Sequence, residues 1–309
     1  MKDGSIRSGV LVVDKGRGAT SFDVVALVRR RLGVRRIGHA GTLDPDATGV
    51  LPVLIGEATK LTPYLVDQDK EYLATIRFGL TTDTHDVGGR VLSESPVEEL
   101  SASRLEEVCR PFVGRIKQVP PMYSAIHHEG RRLYELAREG VEVERAPREV
   151  VVSTLEVEAV GEATARLRIV CGKGTYVRVL AADLGAALGW GGAVESLVRT
   201  RVGPFRLAGA VAWADVAAMP PAELWARVCP VDAALAHWAA VRLDANAARH
   251  FAHGQSADVP TPLAASGLVR VYDLAGTLLG VGETAASGRS VRPVRMMHAD
   301  RPGSSVRPA

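Results

Sequence analysis

The chain has 309 residues, of which 47% are hydrophobic and 24% are charged, and its formal net charge at pH 7 is +3. This is enough apolar sequence for one large domain and a smaller one, while the small net charge neither requires nor excludes a nucleic-acid partner. Cys109, Cys171 and Cys229 are too far apart for a metal-ligand spacing or a disulfide framework. We find no signal-peptide core and no apolar segment of membrane-spanning length, so we expect a soluble cytoplasmic protein.

The first elements of the chain read as a buried strand followed by a capped helix. Residues 10–13 form a short apolar run before a glycine-rich turn, which is typical of a buried strand. Thr20 or Ser21 then caps a helix that ends at Gly33. The inward positions of this helix, at helical spacing, are Phe22, Val25, Val28 and Leu32. Residues 71–80 form the next strand candidate.

The middle of the chain alternates between helices and strands. We predict helices from Ser101 to Phe112 and from Arg131 to Glu139. Residues 163–171 alternate, which predicts a half-exposed strand with a cationic outer face carrying Arg166 and Arg168. A helix follows, with Val177, Leu180, Ala181, Leu184 and Leu188 facing inward. This mixture predicts an α+β domain around a mixed, largely antiparallel sheet.

The composition changes near residues 220–235, a helical and proline-containing stretch that we expect to lead into a second unit. Beyond it, residues 269–273 and 276–282 predict two strands around an Asp-x-x-Gly turn. We therefore predict three parts: a domain of residues 1–235, a small β domain of residues 236–300, and a disordered tail of residues 301–309.

The segment Gly38-His-Ala-Gly-Thr-Leu-Asp-Pro-Asp-Ala-Thr-Gly-Val-Leu51 contains the most informative pattern in the chain. Its three glycines and Pro45 favour tight turns over a helix or a sheet ladder. Within these turns lie the imidazole of His39 and the carboxylate of Asp44, which directly precedes the proline. An Asp-Pro pair alone is a common surface turn, so the pair by itself does not establish a function.

Five further motifs accompany this loop. They are Asp14-Lys15 with Thr20-Ser21-Phe-Asp-Val-Val, Asp69-Lys70-Glu71-Tyr72, Pro121-Met-Tyr-Ser-Ala-Ile with Gly130-Arg-Arg-Leu-Tyr-Glu-Leu-Ala-Arg, Gly172-Lys-Gly-Thr-Tyr-Val-Arg178 with Asp183-Leu-Gly, and Leu197-Val-Arg-Thr-Arg-Val-Gly-Pro-Phe. In content and order, the six segments resemble the TruB family of tRNA pseudouridine synthases. The segment near residue 276 resembles the PUA domain, a small RNA-binding β-barrel that ends TruB-type chains.

The resemblance implies a pseudouridine synthase fold and an isomerisation that breaks the N1–C1′ bond of a uridine, turns the base and rejoins it through C5. By the same resemblance, Asp44 is the catalytic carboxylate, Arg178 pairs with it, and Tyr72 stacks on the uracil and helps to handle the C5 proton. The sequence leaves open whether Asp44 attacks C1′, attacks C6 or removes a proton from C2′. The reaction consumes no cofactor and no metal, and we expect neither.

The remaining candidates concern substrate binding. The resemblance places Tyr176 and Leu197 in the wall of the base pocket and His39 in the stack that the extracted base leaves empty. Lys15 is expected to support the loop or to contact phosphate. Five arginines flank the loop and suit phosphate contact, although an ordinary solvated helix face has the same pattern: Arg29, Arg30, Arg31, Arg35 and Arg36.

The resemblance implies an enzyme that acts on uridine 55 in the TΨC stem-loop of tRNA, and we expect a monomer. Two alternatives stay open. One is a guide-RNA-dependent relative that works as a subunit of a larger particle. The other is a protein that binds or folds tRNA without catalysis.

Overall fold

The computed structural model describes residues 7–124, 126–263 and 266–297. The predicted tail of residues 301–309, with residues 298–300, lies outside the described residues. The strands up to residue 235 are β1 (Gly9–Lys15), β2 (Ile37–His39), β3 (Thr48–Ile55), β4 (Lys70–Phe78), β5 (Leu80–Thr82), β6 (Val91–Glu94), β7 (Gly114–Gln118), β8 (His127–His128), β9 (Arg131–Arg132), β10 (Arg148–Val160), β11 (Thr164–Cys171), β12 (Gly192–Val202), β13 (Phe205–Arg206) and β14 (Val211–Ala212).

The helices of this part are α1 (Ser21–Leu32), α2 (Thr62–Val66), α3 (Ala102–Cys109), α4 (Leu133–Arg138), α5 (Val177–Leu188), α6 (Trp213–Ala218) and α7 (Pro221–Ala226). Short 3-10 helices cover Gly56–Leu61, Arg110–Phe112, Leu207–Gly209 and Val231–Leu235. After residue 235 the elements are β15 (Ala240–Leu243), α8 (Ala245–Ala252), β16 (Ala257–Asp258), β17 (Leu268–Asp273), β18 (Leu278–Thr284) and β19 (Ser290–Met296).

One large sheet organises the first part of the chain. Among the described residues it has ten strands, eight of them in the order β14-β1-β3-β12-β4-β11-β10-β7, with β13 paired to β12 and β2 to β3. The pairings β1–β14 and β3–β12 are parallel, whereas those of β4, β10 and β11 are antiparallel. The predicted α+β class with a mixed, largely antiparallel sheet is confirmed.

Local sequence signals determine both ends of α1. The Thr20 hydroxyl accepts a hydrogen bond from the Asp23 N–H (3.1 Å), and the Asp23 carboxylate accepts one from the Thr20 N–H (2.8 Å), which completes a capping box. Gly33 ends the helix at φ 64°, a left-handed conformation that glycine adopts without strain. The predicted inward position of Phe22 is wrong. Its side chain is 68% exposed, because the buried face of the first turn begins at Ser21 and Val24.

The centre of the sheet lies between two hydrophobic clusters. One packs β4, β11 and β10 against α3 and α5, and the other packs β1 and β3 against α1, α6 and α7. Tyr72 on β4 and Leu197 on β12 contact both clusters. The five residues predicted to face inward on α5 are all buried. This packing fixes the first turn of α5 beside the ends of β4 and β12.

Strand β11 has the predicted faces, and the arginines of its outer face are paired with carboxylates. Ala165, Leu167, Ile169 and Cys171 are buried. On the outer face, Arg166 pairs with Glu158 at 3.0 Å, and Arg168 pairs with Glu156 at 2.8 Å and Glu71 at 3.1 Å. These cross-strand pairs neutralise the expected cationic face, since the partners come from neighbouring strands.

The C-terminal part contains the predicted β domain. Its five-stranded sheet has the order β15-β17-β18-β19-β16, and β17 and β18 coincide with the two strands expected around the Asp-x-x-Gly turn. Val281 and Met297 pack into a cluster with Val10 and Leu54, so this sheet lies against the outer face of β1 and β3. In the described part of the chain, no helix is both long and apolar enough to cross a bilayer.

Candidate active site

The loop that carries Asp44 connects β2 to β3 and is fastened to the start of α1. The Ser21 hydroxyl accepts a hydrogen bond from the Leu43 N–H (2.9 Å) and donates one to the Leu43 carbonyl (3.2 Å). The Gly18 N–H donates to the Pro45 carbonyl at 2.8 Å. Contacts therefore fix the residues on both sides of Asp44, which holds the carboxylate in a defined direction.

Lys15, at the end of β1, lies beneath this loop. It is fully buried, and its ammonium group donates to the carbonyls of Gly16 (3.0 Å), Ala19 (2.7 Å) and Pro45 (2.9 Å). Burial lowers the pKa of Lys15 to about 8. The contact with the Pro45 carbonyl is consistent with a supporting role, which stays a prediction, and the burial of Lys15 leaves no surface for a phosphate.

Arg178, in the first turn of α5, holds Asp44. Its Nε donates to Asp44 Oδ2 at 2.8 Å, while Nη1 donates to the Thr84 carbonyl (2.8 Å) and Nη2 to the Tyr123 carbonyl (2.9 Å). Asp86 Oδ2 lies 3.9 Å from Nη1. The guanidinium is thus fixed on three sides by the β5–β6 connection, the 119–124 segment and the Asp44 loop.

Five of the predicted site residues line a single cavity of about 260 Å³: Asp44, Tyr72, Tyr176, Arg178 and Leu197. Tyr72 and Leu197 contribute flat and apolar wall from neighbouring strands, where Leu197 pairs with Ala74 in the β12–β4 register. Burial raises the pKa of the Tyr72 phenol and of the Tyr176 phenol, so both are neutral at pH 7. The cavity has the volume and walls that suit a planar base.

The direction of Tyr176, which immediately precedes α5, is set by a buried glutamine. Gln118 at the end of β7 is 2% exposed. Its side-chain oxygen accepts from the Tyr176 N–H (3.0 Å), and its amide donates to the Tyr176 carbonyl (3.3 Å). This reciprocal pair connects the edge strand of the sheet to the helix start that carries Arg178.

His39, at the end of β2, does not line this cavity. Its ring is partly buried, and Nδ1 has no hydrogen-bond partner among the described residues. Burial and the Arg199 guanidinium lower the pKa of His39, so the ring is neutral at pH 7. A neutral, flat ring beside the Asp44 loop is consistent with the predicted stacking role, which stays a prediction.

Three protein-family models match this chain. Residues 29–177 match the model of the TruB family pseudouridylate synthase N-terminal domain. Residues 178–236 match that of the tRNA pseudouridylate synthase B C-terminal domain, and residues 239–297 match that of the pseudouridine synthase II TruB C-terminal region.

Full-length relatives agree with these models. The chain is 44% identical to the tRNA pseudouridine synthase B of Aromatoleum aromaticum, over 94% of this chain and 93% of that protein. It is 42% identical to the tRNA pseudouridine synthase B of Stutzerimonas stutzeri, over 95% and 96% of the two chains. The chain belongs to the TruB family.

A solved structure supports the fold of this TruB-family chain. A chain in the crystal structure of a Cbf5–Nop10–Gar1 complex superposes with a TM-score of 0.73 at 25% identity, covering 96% of this chain and 86% of that one. The C-terminal family match carries a TruB description, and the PUA assignment stays a prediction.

Two buried cations in the site of this TruB-family chain were not singled out from the sequence. Arg199 on β12 is 1% exposed and donates to the carbonyls of Val50 (2.8 Å), Thr42 (3.3 Å) and Gly41 (3.0 Å). Lys70 on β4 is 6% exposed and donates to the carbonyls of Val66 and Gln68. Both lie inside motifs noted above, but their burial follows from strand pairing that a single sequence does not show.

The predicted arginine cluster is divided by the structure. Arg31 donates to the Met219 carbonyl, and Arg36 pairs with Glu57 at 2.8 Å, so these two side chains make contacts within the protein. Arg29, Arg30 and Arg35 are exposed. Among the described residues, no group of three or more His, Cys, Asp or Glu side chains is arranged to hold a metal.

Proposed function

We propose that this chain converts uridine to pseudouridine in tRNA and that Asp44 is the catalytic carboxylate. The observation that carries the proposal is the Asp44–Arg178 pair at 2.8 Å in the wall of a base-sized cavity. The two relatives named tRNA pseudouridine synthase B support tRNA as the substrate.

In this proposal the uridine leaves its stack and enters the cavity, where Tyr72 stacks on the ring and Leu197 lines the pocket. Arg178 donates to Asp44 Oδ2, which leaves Oδ1 for the substrate. The N1–C1′ bond breaks with its electron pair on the base, the base turns, and C5 bonds to C1′. The C5 proton is then lost and N1 regains a proton, so the product is an isomer of the substrate.

We further propose that the target is uridine 55 of the TΨC stem-loop, and that a monomer acts without a guide RNA. Residues 1–235 would form the catalytic domain, and residues 236–300 a PUA-like RNA-binding domain. The exposed Arg29, Arg30 and Arg35 would contact the phosphate backbone, and His39 would fill the vacated stack.

The test uses an unmodified tRNA transcript that carries 5-tritiated uridine, since forming the C5–C1′ bond releases the C5 hydrogen. We expect one equivalent of tritium per transcript from the purified chain alone, and none when position 55 is cytidine. Release that requires an added guide RNA and partner proteins would favour the guide-dependent alternative. Transcript binding without release under either condition would favour the binding-only alternative.

A further inference from the structure

The cavity that contains Asp44 has a large excess of positive charge. Its lining holds four cationic side chains, Lys70, Lys173, Arg178 and Arg199, against one carboxylate, Asp44. Lys173 is exposed at the rim and pairs with Asp67 at 2.9 Å. The other three are each at least nine-tenths buried. Apart from Lys173, the cavity therefore has three buried cations and one partly exposed anion.

Two of the buried cations have no carboxylate partner within the described residues. Arg178 pairs with Asp44, but Lys70 and Arg199 donate to main-chain carbonyls, and Arg199 also hydrogen-bonds the neutral Tyr72 phenol. Burial lowers the pKa of Lys70 to about 8, and the more distant Asp67 and Asp69 only partly oppose this. Burying uncompensated charge is unfavourable, so a bound group that supplies negative charge would be held strongly there.

A neutral uracil ring supplies no such charge, but the detached ring does. In the function proposed above, on which this inference rests, heterolysis of N1–C1′ leaves the electron pair on uracil, delocalised over N1, O2 and O4. The sugar is balanced when C1′ bonds to the Asp44 carboxylate or C2′ gives its proton to it. We propose that Lys70 and Arg199 hold the detached base as an anion and stabilise it while it turns.

The same excess charge would also suit a phosphate of the extracted nucleotide. The position of the cations favours the base. Lys70 and Arg199 are buried in the same cavity as the flat wall formed by Tyr72 and Leu197, whereas the exposed cation, Lys173, is at the rim. Besides Asp44 and the four cationic side chains, the ionisable groups that line the cavity are the phenols of Tyr72, Tyr123 and Tyr176.

The test measures the ionisation of a base inside the cavity. A TΨC stem-loop RNA carries 5-fluorouridine at the target position, because the ¹⁹F chemical shift reports whether its ring N–H is ionised. Like the detached uracil, the ionised ring carries its charge on O2 and O4. The protein carries Asp44→Asn to prevent turnover. It is compared with the double variants Asp44→Asn/Lys70→Met and Asp44→Asn/Lys117→Met, the latter removing an exposed lysine outside this cavity.

We expect the bound base to ionise at least one pH unit lower than in free RNA, a tenfold or larger change in its ionisation constant. Lys70→Met should remove much of this change and Lys117→Met should not. An unchanged or raised ionisation pH in the bound RNA overturns the inference, as does a shift that survives Lys70→Met.

A methylphosphonate beside the target nucleotide separates the two possible sources of negative charge. If the excess charge serves a phosphate, the substitution weakens binding in a Lys70-dependent way while the base titrates as in free RNA, and the inference is overturned. RNA that fails to bind at all contradicts the proposed function itself. The comparison of bound with free RNA remains decisive even if Lys70→Met does not fold.

Discussion

Arg178 Nε lies 2.8 Å from Asp44 Oδ2, although 134 residues separate the two in the chain. The two side chains differ sharply in accessibility, with 7% of the Arg178 side chain exposed against 44% for Asp44. A buried donor with three fixed acceptors thus holds a carboxylate that solvent and substrate can reach. This difference in exposure suits a site in which the carboxylate reacts and the arginine fixes its orientation.

Replacing Arg178 should slow the reaction much more than it weakens RNA binding. A lysine cannot reach Asp44, the Thr84 carbonyl and the Tyr123 carbonyl at once, so Arg178→Lys should leave Asp44 misplaced. We expect kcat to fall by about 100-fold, the order of loss that a 1 Å misplacement produces. Single-turnover rates and tRNA dissociation constants check this. Arg166→Lys, on the exposed face of β11, is the control and should behave as wild type.

His39 should act through its shape and not through proton transfer. Its pKa is lowered, so the neutral ring persists as the pH falls toward 6.5 and should add no acidic limb to the rate profile there. His39→Phe keeps a flat ring, whereas His39→Ala removes about 1–3 kcal/mol of stacking per base. We expect a raised KM for the alanine variant and a near-normal KM for the phenylalanine variant. The reverse order would exclude stacking.

Gln118 should prove to be a positioning residue. Gln118→Leu leaves the part-buried Tyr176 N–H without its acceptor, at a cost of about 1–3 kcal/mol of folding free energy. Gln118→Glu keeps the acceptor and loses the donor, but a protonated glutamate donates again. The activity of Gln118→Glu relative to wild type should therefore rise as the pH is lowered. A flat ratio across pH would mean that the donor half of the pair does not matter.

Lys70 should give the kcat/KM profile a basic limb. Its pKa is lowered to about 8 by burial, and we expect the cationic form to be the active one, so kcat/KM should fall as the pH rises through about 8. Lys70→Arg keeps the charge at all these pH values and should move the limb upward. Lys15 has a similarly lowered pKa. If the limb stays in place in Lys70→Arg, it belongs to Lys15 and the prediction for Lys70 is wrong.

Helix caps and hydrophobic spacing allowed part of this fold to be predicted from the sequence. Thr20 and Gly33 bound α1 as their capping chemistry indicates, and the inward face of α5 follows helical spacing. Phe22 was misplaced because periodicity does not settle which face the first turn of a helix buries. The pairing of Arg166 on the predicted cationic face was not foreseen, because its partner, Glu158, lies on the neighbouring strand.

Site residues could be predicted from the sequence only where they belong to a recognised motif. Motif resemblance indicated Asp44 and Arg178, and the structure brings them together. Lys70, Gln118 and Arg199 were missed for a common reason: each is polar, and each is buried because of long-range strand pairing. Arg199 illustrates this, since it stands opposite Tyr72 on β4 and Gly49 on β3. No local pattern in the sequence encodes that register.

The most direct test of the account compares Asp44→Asn with Asp46→Asn. The two carboxylates lie in one loop, but Asp46 is exposed and pairs with Arg17 at 3.2 Å, outside the cavity. Tritium release from a 5-tritiated tRNA transcript is measured in parallel with transcript binding. We predict that Asp44→Asn binds the transcript and releases no tritium, while Asp46→Asn releases one equivalent. Release by Asp44→Asn at the wild-type rate would contradict the assignment of Asp44 as the catalytic carboxylate.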